Sequence, residues 1–228
     1  MAVRTIAPRR KSSLTDAAGI GIAVGIYGIS FGMLAVAAGM TPAQACVMSL
    51  LVFTGASQFA FVGVLAGGGG ALAAMGPAVM LAVRNAAYGV SLAPILRGRL
   101  RDRALLAQLV IDESSAMARA EDHPLAARRA FLLTGLSVWL CWNVGTLAGT
   151  LLGAGLGDPR ALGLDAMFPA AFLALLAPQL RRPGAPVAAV AGAMVAVAVL
   201  PFAPAGLPVI AALIGLVPGV LLARGARA

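Results

Sequence analysis

Thr54-Gly55-Ala56-Ser57-Gln58-Phe59 stands halfway along an otherwise apolar run, residues 43–66. That stretch does not suit a lipid-facing helix. Glycine lowers helix propensity by about 1 kcal/mol against alanine. The hydroxyls of Thr54 and Ser57 and the amide of Gln58 would find no partners in hydrocarbon. Irregular backbone at membrane depth is tolerated only where it is buried in protein or lines a cavity. Membrane transporters place substrate at such breaks, with half-helix N-termini facing anions and freed carbonyls facing cations. The alternative is a polar patch that ties helices together. The following Gly67–Gly70 reads as a short turn.

The flanking sequence explains why membrane depth is the right frame. Of 228 residues, 61% are hydrophobic and 11% charged, with mean hydropathy +0.95. Soluble domains average about 45–50% apolar and about 25% charged. The apolar runs are 17–39, 43–66, 71–96, 130–156, 162–179, 185–202 and 206–223. A bilayer crossing needs about 20 such residues. The composition excludes a soluble enzyme, a disordered chain and a disulfide scaffold. The net charge of +9 raises nucleic acid as a partner. The basic residues, however, sit in clusters between the runs: Arg4 to Lys11, Arg97 to Arg103, Arg128-Arg129, Arg181-Arg182, and Arg224 with Arg227. Cytoplasmic loops carry such an excess, so the charge marks topology and no nucleic-acid surface is expected.

Counting all seven runs as crossings puts the Arg97–Arg103 loop on the wrong side. The conflict disappears if 43–66 or 71–96 is broken or re-entrant. A competing repair makes 104–121 a crossing, at the cost of placing Asp112 and Glu113 in the membrane. The first repair is preferred. It predicts an all-α, polytopic membrane bundle with about six net crossings and a broken element around 54–59. Residues 1–16 form a cytoplasmic basic segment and 17–228 a single transmembrane transporter domain. Both termini are cytoplasmic, and the loop 157–165 lies outside.

Arg84-Asn85 falls thirteen residues into its run. A mid-membrane arginine must face the interior and find a partner. It can anchor a substrate carboxylate through its guanidinium fork, or tie to Asp112 or Glu113, or alternate between the two. Tyr88, one turn on, points the same way. A helical wheel over 104–121 puts Glu113 near the centre of an apolar stripe and Asp112 at its edge. Both are candidates for proton coupling. The substrate-binding candidates are Thr54, Gly55, Ser57, Gln58, Phe59, Arg84, Asn85 and Tyr88. Phe59 and Phe61 could take an apolar side chain. Glycines at 21/25, 28/32 and 145/149/153 suit close helix packing. Asn143 suits a helix–helix hydrogen bond. Enzyme signals are weak: His123 is the one histidine, metal-ligand clusters and a P-loop are absent, and Cys46 and Cys141 lie in apolar runs. No cofactor is expected.

The order Gly28-Ile-Ser-Phe31-Gly32, Ser49 to Phe59, Arg84-Asn85 with Tyr88, Ser91-Leu92-Ala93-Pro94 and Asp112-Glu113-Ser114 resembles the AzlC family, the large subunits of branched-chain amino-acid exporters. The resemblance is densest over 19–118, and Gln58, Arg84 and Asp112 match its motif positions. It implies a bacterial inner-membrane secondary transporter. That transporter would export valine, leucine and isoleucine, with methionine a further candidate. It would be coupled to protons and work with a small AzlD-type membrane subunit. The runner-up is a non-transporting subunit or scaffold of a larger complex.

Overall fold

A computed structural model describes residues 14–155, 170, 173, 176–204 and 206–225. The basic segment 1–13, the loop 157–165 and most of the 162–179 run lie outside the described residues. Among the described residues the regular structure is helical. The order is α1 (Leu14–Ala37), α2 (Pro42–Leu51), α3 (Ala56–Ala66), α4 (Ala71–Leu92), α5 (Leu100–Ala107), α6 (Asp112–Arg119), α7 (Pro124–Gly155), α8 (Ala185–Val199), α9 (Leu207–Ala211) and α10 (Leu216–Gly225). Among the described residues, four spans are long and apolar enough to cross a bilayer: α1, α7, Ala185–Phe202 and Leu207–Gly225. This is the expected helical membrane architecture. Helix α4 has 22 residues but carries Arg84 and Asn85 in its interior.

The backbone of the fold is a parallel seam between α1 and α7. Gly21 meets Ser137, Gly25 meets Cys141, Gly28 meets Trp142, and Gly32 meets Thr146. A Cβ added at Gly28 would stand 2.6 Å from the Trp142 carbonyl oxygen. One at Gly149 would collide with the Ile29 carbonyl. Small residues let backbones approach this closely, which is how helices associate where lipid supplies no hydrophobic drive. The glycine spacings in the two runs thus belong to one interface. Beside it, Phe31 stacks on Trp142 (5.9 Å, 23°), and Phe59 meets both rings edge-on at 5.9 and 6.1 Å.

The helix ends have local causes. Thr41 and Gln44 form a reciprocal capping box at the start of α2 (3.2 and 2.8 Å), with Pro42 next. At the end of α1, Gly39 (φ 89°) lets Met40 N–H reach the Ala35 carbonyl at 3.0 Å. Gly68 (φ 81°) does the same after α3, where Gly69 N–H reaches Val64 O at 2.9 Å. Both are Schellman-type stops, so Gly67–Gly70 is a defined turn.

Two short hairpins enter the bundle from opposite faces. Arg128 Nη1 donates to the Arg97 carbonyl at 3.3 Å, placing the end of α4 and the start of α7 on one face, called here the basic face. Ala38, Gly39 and Met40 share a cavity wall with Leu65 and Ala71. The end of α1, the start of α2, the end of α3 and the start of α4 therefore lie on the other face. Helices α2 and α3 leave that face and return to it, so the 43–66 run folds as a hairpin, while α4 runs from that face to the basic one. From the basic face, α5 descends and α6 returns, with Ala118 packed among Leu92, Leu96 and Phe131. Gly206 touches Ala73 at the far end, while Gly184 packs on Gly219 and Ala223. Arg181, Arg182 and Arg224 thus end on the side of Arg97.

Two expectations are revised. The 104–121 stretch is not one helix: it breaks at Gln108–Ile111, and Ile111 is extended (φ −131°, ψ 174°). Ser114 accepts from Ile111 N–H at 3.2 Å and donates to Leu109 O at 2.6 Å. Those bonds draw the backbone out of the helical path. The wheel therefore joined two separate helices, and Leu105 is exposed while Leu109 and Val110 are buried. Asn143 bonds within its own helix, donating to Trp139 O at 2.8 Å.

Candidate functional site

The tips of the two hairpins meet beside α4. The α2–α3 tip is Val52–Gly55, and Gly55 adopts φ 63°, ψ −88°, a conformation that a side chain would strain. The hydroxyls of Thr54 and Ser57 are in contact. Gln58 Oε1 accepts from Gly55 N–H at 3.2 Å. Gln58 is fully buried, and its Nε2 has no partner. The α5–α6 tip reaches back to this turn: Gln108 Nε2 donates to Leu50 O at 2.8 Å and more weakly to Leu51 O at 3.4 Å. These carbonyls end α2 and have no continuing helix to bond.

Arg84 links the three elements. Its Nη1 lies 2.9 Å from Asp112 Oδ2, and its Nη2 donates to Thr54 O at 3.5 Å. Asp112 opens α6, where the partial positive charge of the helix start favours an anion. The Arg84 partner foreseen as Asp112 or Glu113 is thus Asp112. Glu113 is half-buried one residue on. The pairing is incomplete. Arg84 Nε, Asp112 Oδ1 and Asn85 Oδ1 are all buried atoms without partners. Both paired side chains are nevertheless reachable, at 39% and 41% exposure. Tyr88 lies beside Asp112, and the Arg119 guanidinium sits 5.4 Å from the centre of its ring.

An apolar cavity of about 900 Å³ extends from the turn at Ala38–Met40 toward the α2–α3 tip. Val47, Met48, Leu51, Phe61, Leu65, Met75, Ala78 and Ala82 line it, and it reaches Ser57. Position 84 is turned about 200° from position 82 at 3.6 residues per turn. The ion pair and the cavity therefore stand on different sides of α4, separated by the Thr54–Ser57 tip. Phe61 is on the cavity wall. Phe59 is not: it is packed in the aromatic core at 2% exposure and holds the tip against α1 and α7. The structure thus gathers Thr54, Gly55, Ser57, Gln58, Arg84, Asn85, Tyr88, Asp112 and Glu113 into one region and turns Phe59 inward.

Sequence reasoning missed Gln108 and the buried Ser49–Thr146 hydroxyl pair (3.0 Å) that pins α2 to α7. A signal for Gln108 exists. The β-branched Val110-Ile111 followed by Asp112, Glu113 and Ser114 reads as a helix start, which would have placed a turn at Gln108.

The profile of the AzlC protein family matches residues 19–156. The chain is 30% identical over 161 residues to the inner membrane protein YgaZ of Escherichia coli (strain K12). The match covers 67% of this chain and 66% of that relative, just under two thirds of its length. No solved structure matches the chain. The matched stretch contains the α1–α7 seam, both hairpins and every residue of the site, and the chain belongs to the AzlC protein family.

Proposed function

We propose that the chain is a secondary transporter that exports branched-chain amino acids (valine, leucine, isoleucine and also methionine) across the inner membrane, coupled to protons and working with a small AzlD-type subunit. One observation carries this reading. An arginine–carboxylate pair with unused hydrogen-bonding atoms sits where two opposed hairpins meet, and an apolar cavity lies beyond the Thr54–Ser57 tip from it. Transporters place substrate between broken helices of this kind. An arginine suits a carboxylate, and an apolar environment suits a branched side chain. Such surroundings separate substrates that differ by one methylene by only about 1–3 kcal/mol, so selectivity among these four is loose and lysine is rejected. The clustering of basic residues on one face supports cytoplasmic termini.

The test is efflux of labelled valine from proteoliposomes, with and without a pH gradient and a co-expressed small subunit. Gradient-stimulated efflux is the expected result. A purified, folded chain that moves no amino acid under any of these conditions would favour the scaffold reading.

A further inference from the structure

Four of the buried atoms without partners on the elements that meet at the hairpin tips divide into two chemical sets. Arg84 Nε and Gln58 Nε2 are donors without acceptors. Asp112 Oδ1 and Asn85 Oδ1 are acceptors without donors. Leaving such atoms buried and unmet is costly, and a low-dielectric setting makes the cost larger. A free amino acid carries one group for each set: a carboxylate for the donors and an ammonium for the acceptors. The pair that separates the sets is held by one 2.9 Å contact between side chains on two different elements, α4 and α6, and both side chains are accessible. The other hold on Arg84, to Thr54 O, is at 3.5 Å and is weak.

Resting on the transport reading, we propose that the Arg84–Asp112 ion pair is a zwitterion receptor. It opens to admit the substrate, whose carboxylate takes the guanidinium and whose ammonium takes the Asp112 carboxylate. One ion pair is exchanged for two, so no charge is left unpaired at membrane depth. The groups facing Asp112 are Arg84 and Tyr88 on α4, with Glu113 and Arg119 on α6 itself. Helix α7 offers no acid or base between Arg129 and Cys141.

The experiment uses the full chain, with its small subunit if they co-purify, in proteoliposomes carrying labelled leucine and a lumenal pH dye. For the wild type, leucine efflux acidifies the lumen. N-acetyl-leucine and leucinamide compete less well than leucine by a factor of about 10–100, since each lacks one of the two charges. In Asp112→Asn, the preference over N-acetyl-leucine shrinks about tenfold or more. A wild type that accepts N-acetyl-leucine as well as leucine overturns the proposal. So does an Asp112→Asn variant that keeps the wild-type preference for leucine over N-acetyl-leucine. The analogue competition needs only the wild type and decides the matter even if the variant does not fold. A wild type that moves no leucine at all sinks the transport reading and this one with it, an outcome distinct from transport without zwitterion selectivity.

Discussion

The α1–α7 seam gives a prediction whose size can be worked from the coordinates. In Gly28→Ala, the new Cβ would lie 2.6 Å from the Trp142 carbonyl oxygen, 3.2 Å from its Cα and 3.3 Å from its carbonyl carbon, where ordinary contact begins at 3.4 Å. The methyl group is about 0.8 Å too close to backbone that cannot rotate away, so the two helices must separate locally. Overpacking of this kind costs about 1–3 kcal/mol. Alanine also gains about 1 kcal/mol of helix propensity over glycine, which partly masks the loss. Gly89→Ala removes that ambiguity. Gly89 is also helical, within α4, but has nothing within 4 Å of the added Cβ, so it gains the propensity without the collision. The difference between the two variants isolates the steric cost, expected at about 1–3 kcal/mol. It is measured by denaturant titration in detergent, followed by circular dichroism. Equal effects of Gly28→Ala and Gly89→Ala would refute the backbone-to-backbone seam.

Three further outcomes follow from the tips and the faces. Gly55→Ala should destabilise by about 1–3 kcal/mol, because alanine is strained at φ 63°; an unchanged melting curve would argue against that turn. Gln108→Ala should cost about 1–3 kcal/mol by leaving the Leu50 and Leu51 carbonyls without their donor. Gln108→Glu, which keeps the length but loses the donor, should be no better in the same thermal assay. Single cysteines at Arg99 and Arg128 should react with an impermeant maleimide from one side of the membrane only. A cysteine at Gly70, at the start of α4, should react only from the other; labelling of Gly70 and Arg99 from the same side would contradict the re-entrant path.

Much of the architecture was legible because membrane proteins write it in coarse symbols. The break at Thr54–Phe59 showed as polar residues in a run that could not tolerate them, and the basic clusters raised the expectation that one apparent crossing turns back, which agrees with the α2–α3 hairpin. Arg84 stood out because no loop could absorb it. The second hairpin was hidden. Its break at Gln108–Ile111 contains no glycine or proline, and the apolar spacing of Leu105, Leu109 and Val110 imitates a continuous stripe. The partner of Arg84 was also open, since Asp112 and Glu113 are adjacent. The choice is made by where Ile111 places the start of α6, which depends on Ser114 bonding back into the turn. Phe59 looked like a pocket residue because aromatic character alone does not reveal direction; Trp142, 83 positions away, decides it.

The carbonyls at the inner tip of the α2–α3 hairpin carry a consequence for how far the hairpin stands alone. Leu50 O and Leu51 O are satisfied by Gln108, and Thr54 O by Arg84. Both donors come later in the sequence. Residues 42–66 satisfy the Thr54 and Ser57 hydroxyls and the Gly55 N–H among themselves, but they supply no donor for these three carbonyls, and hydrocarbon offers none. The hairpin is therefore not a self-sufficient membrane unit: its polar tip is complete only when α4 and the end of α5 stand beside it.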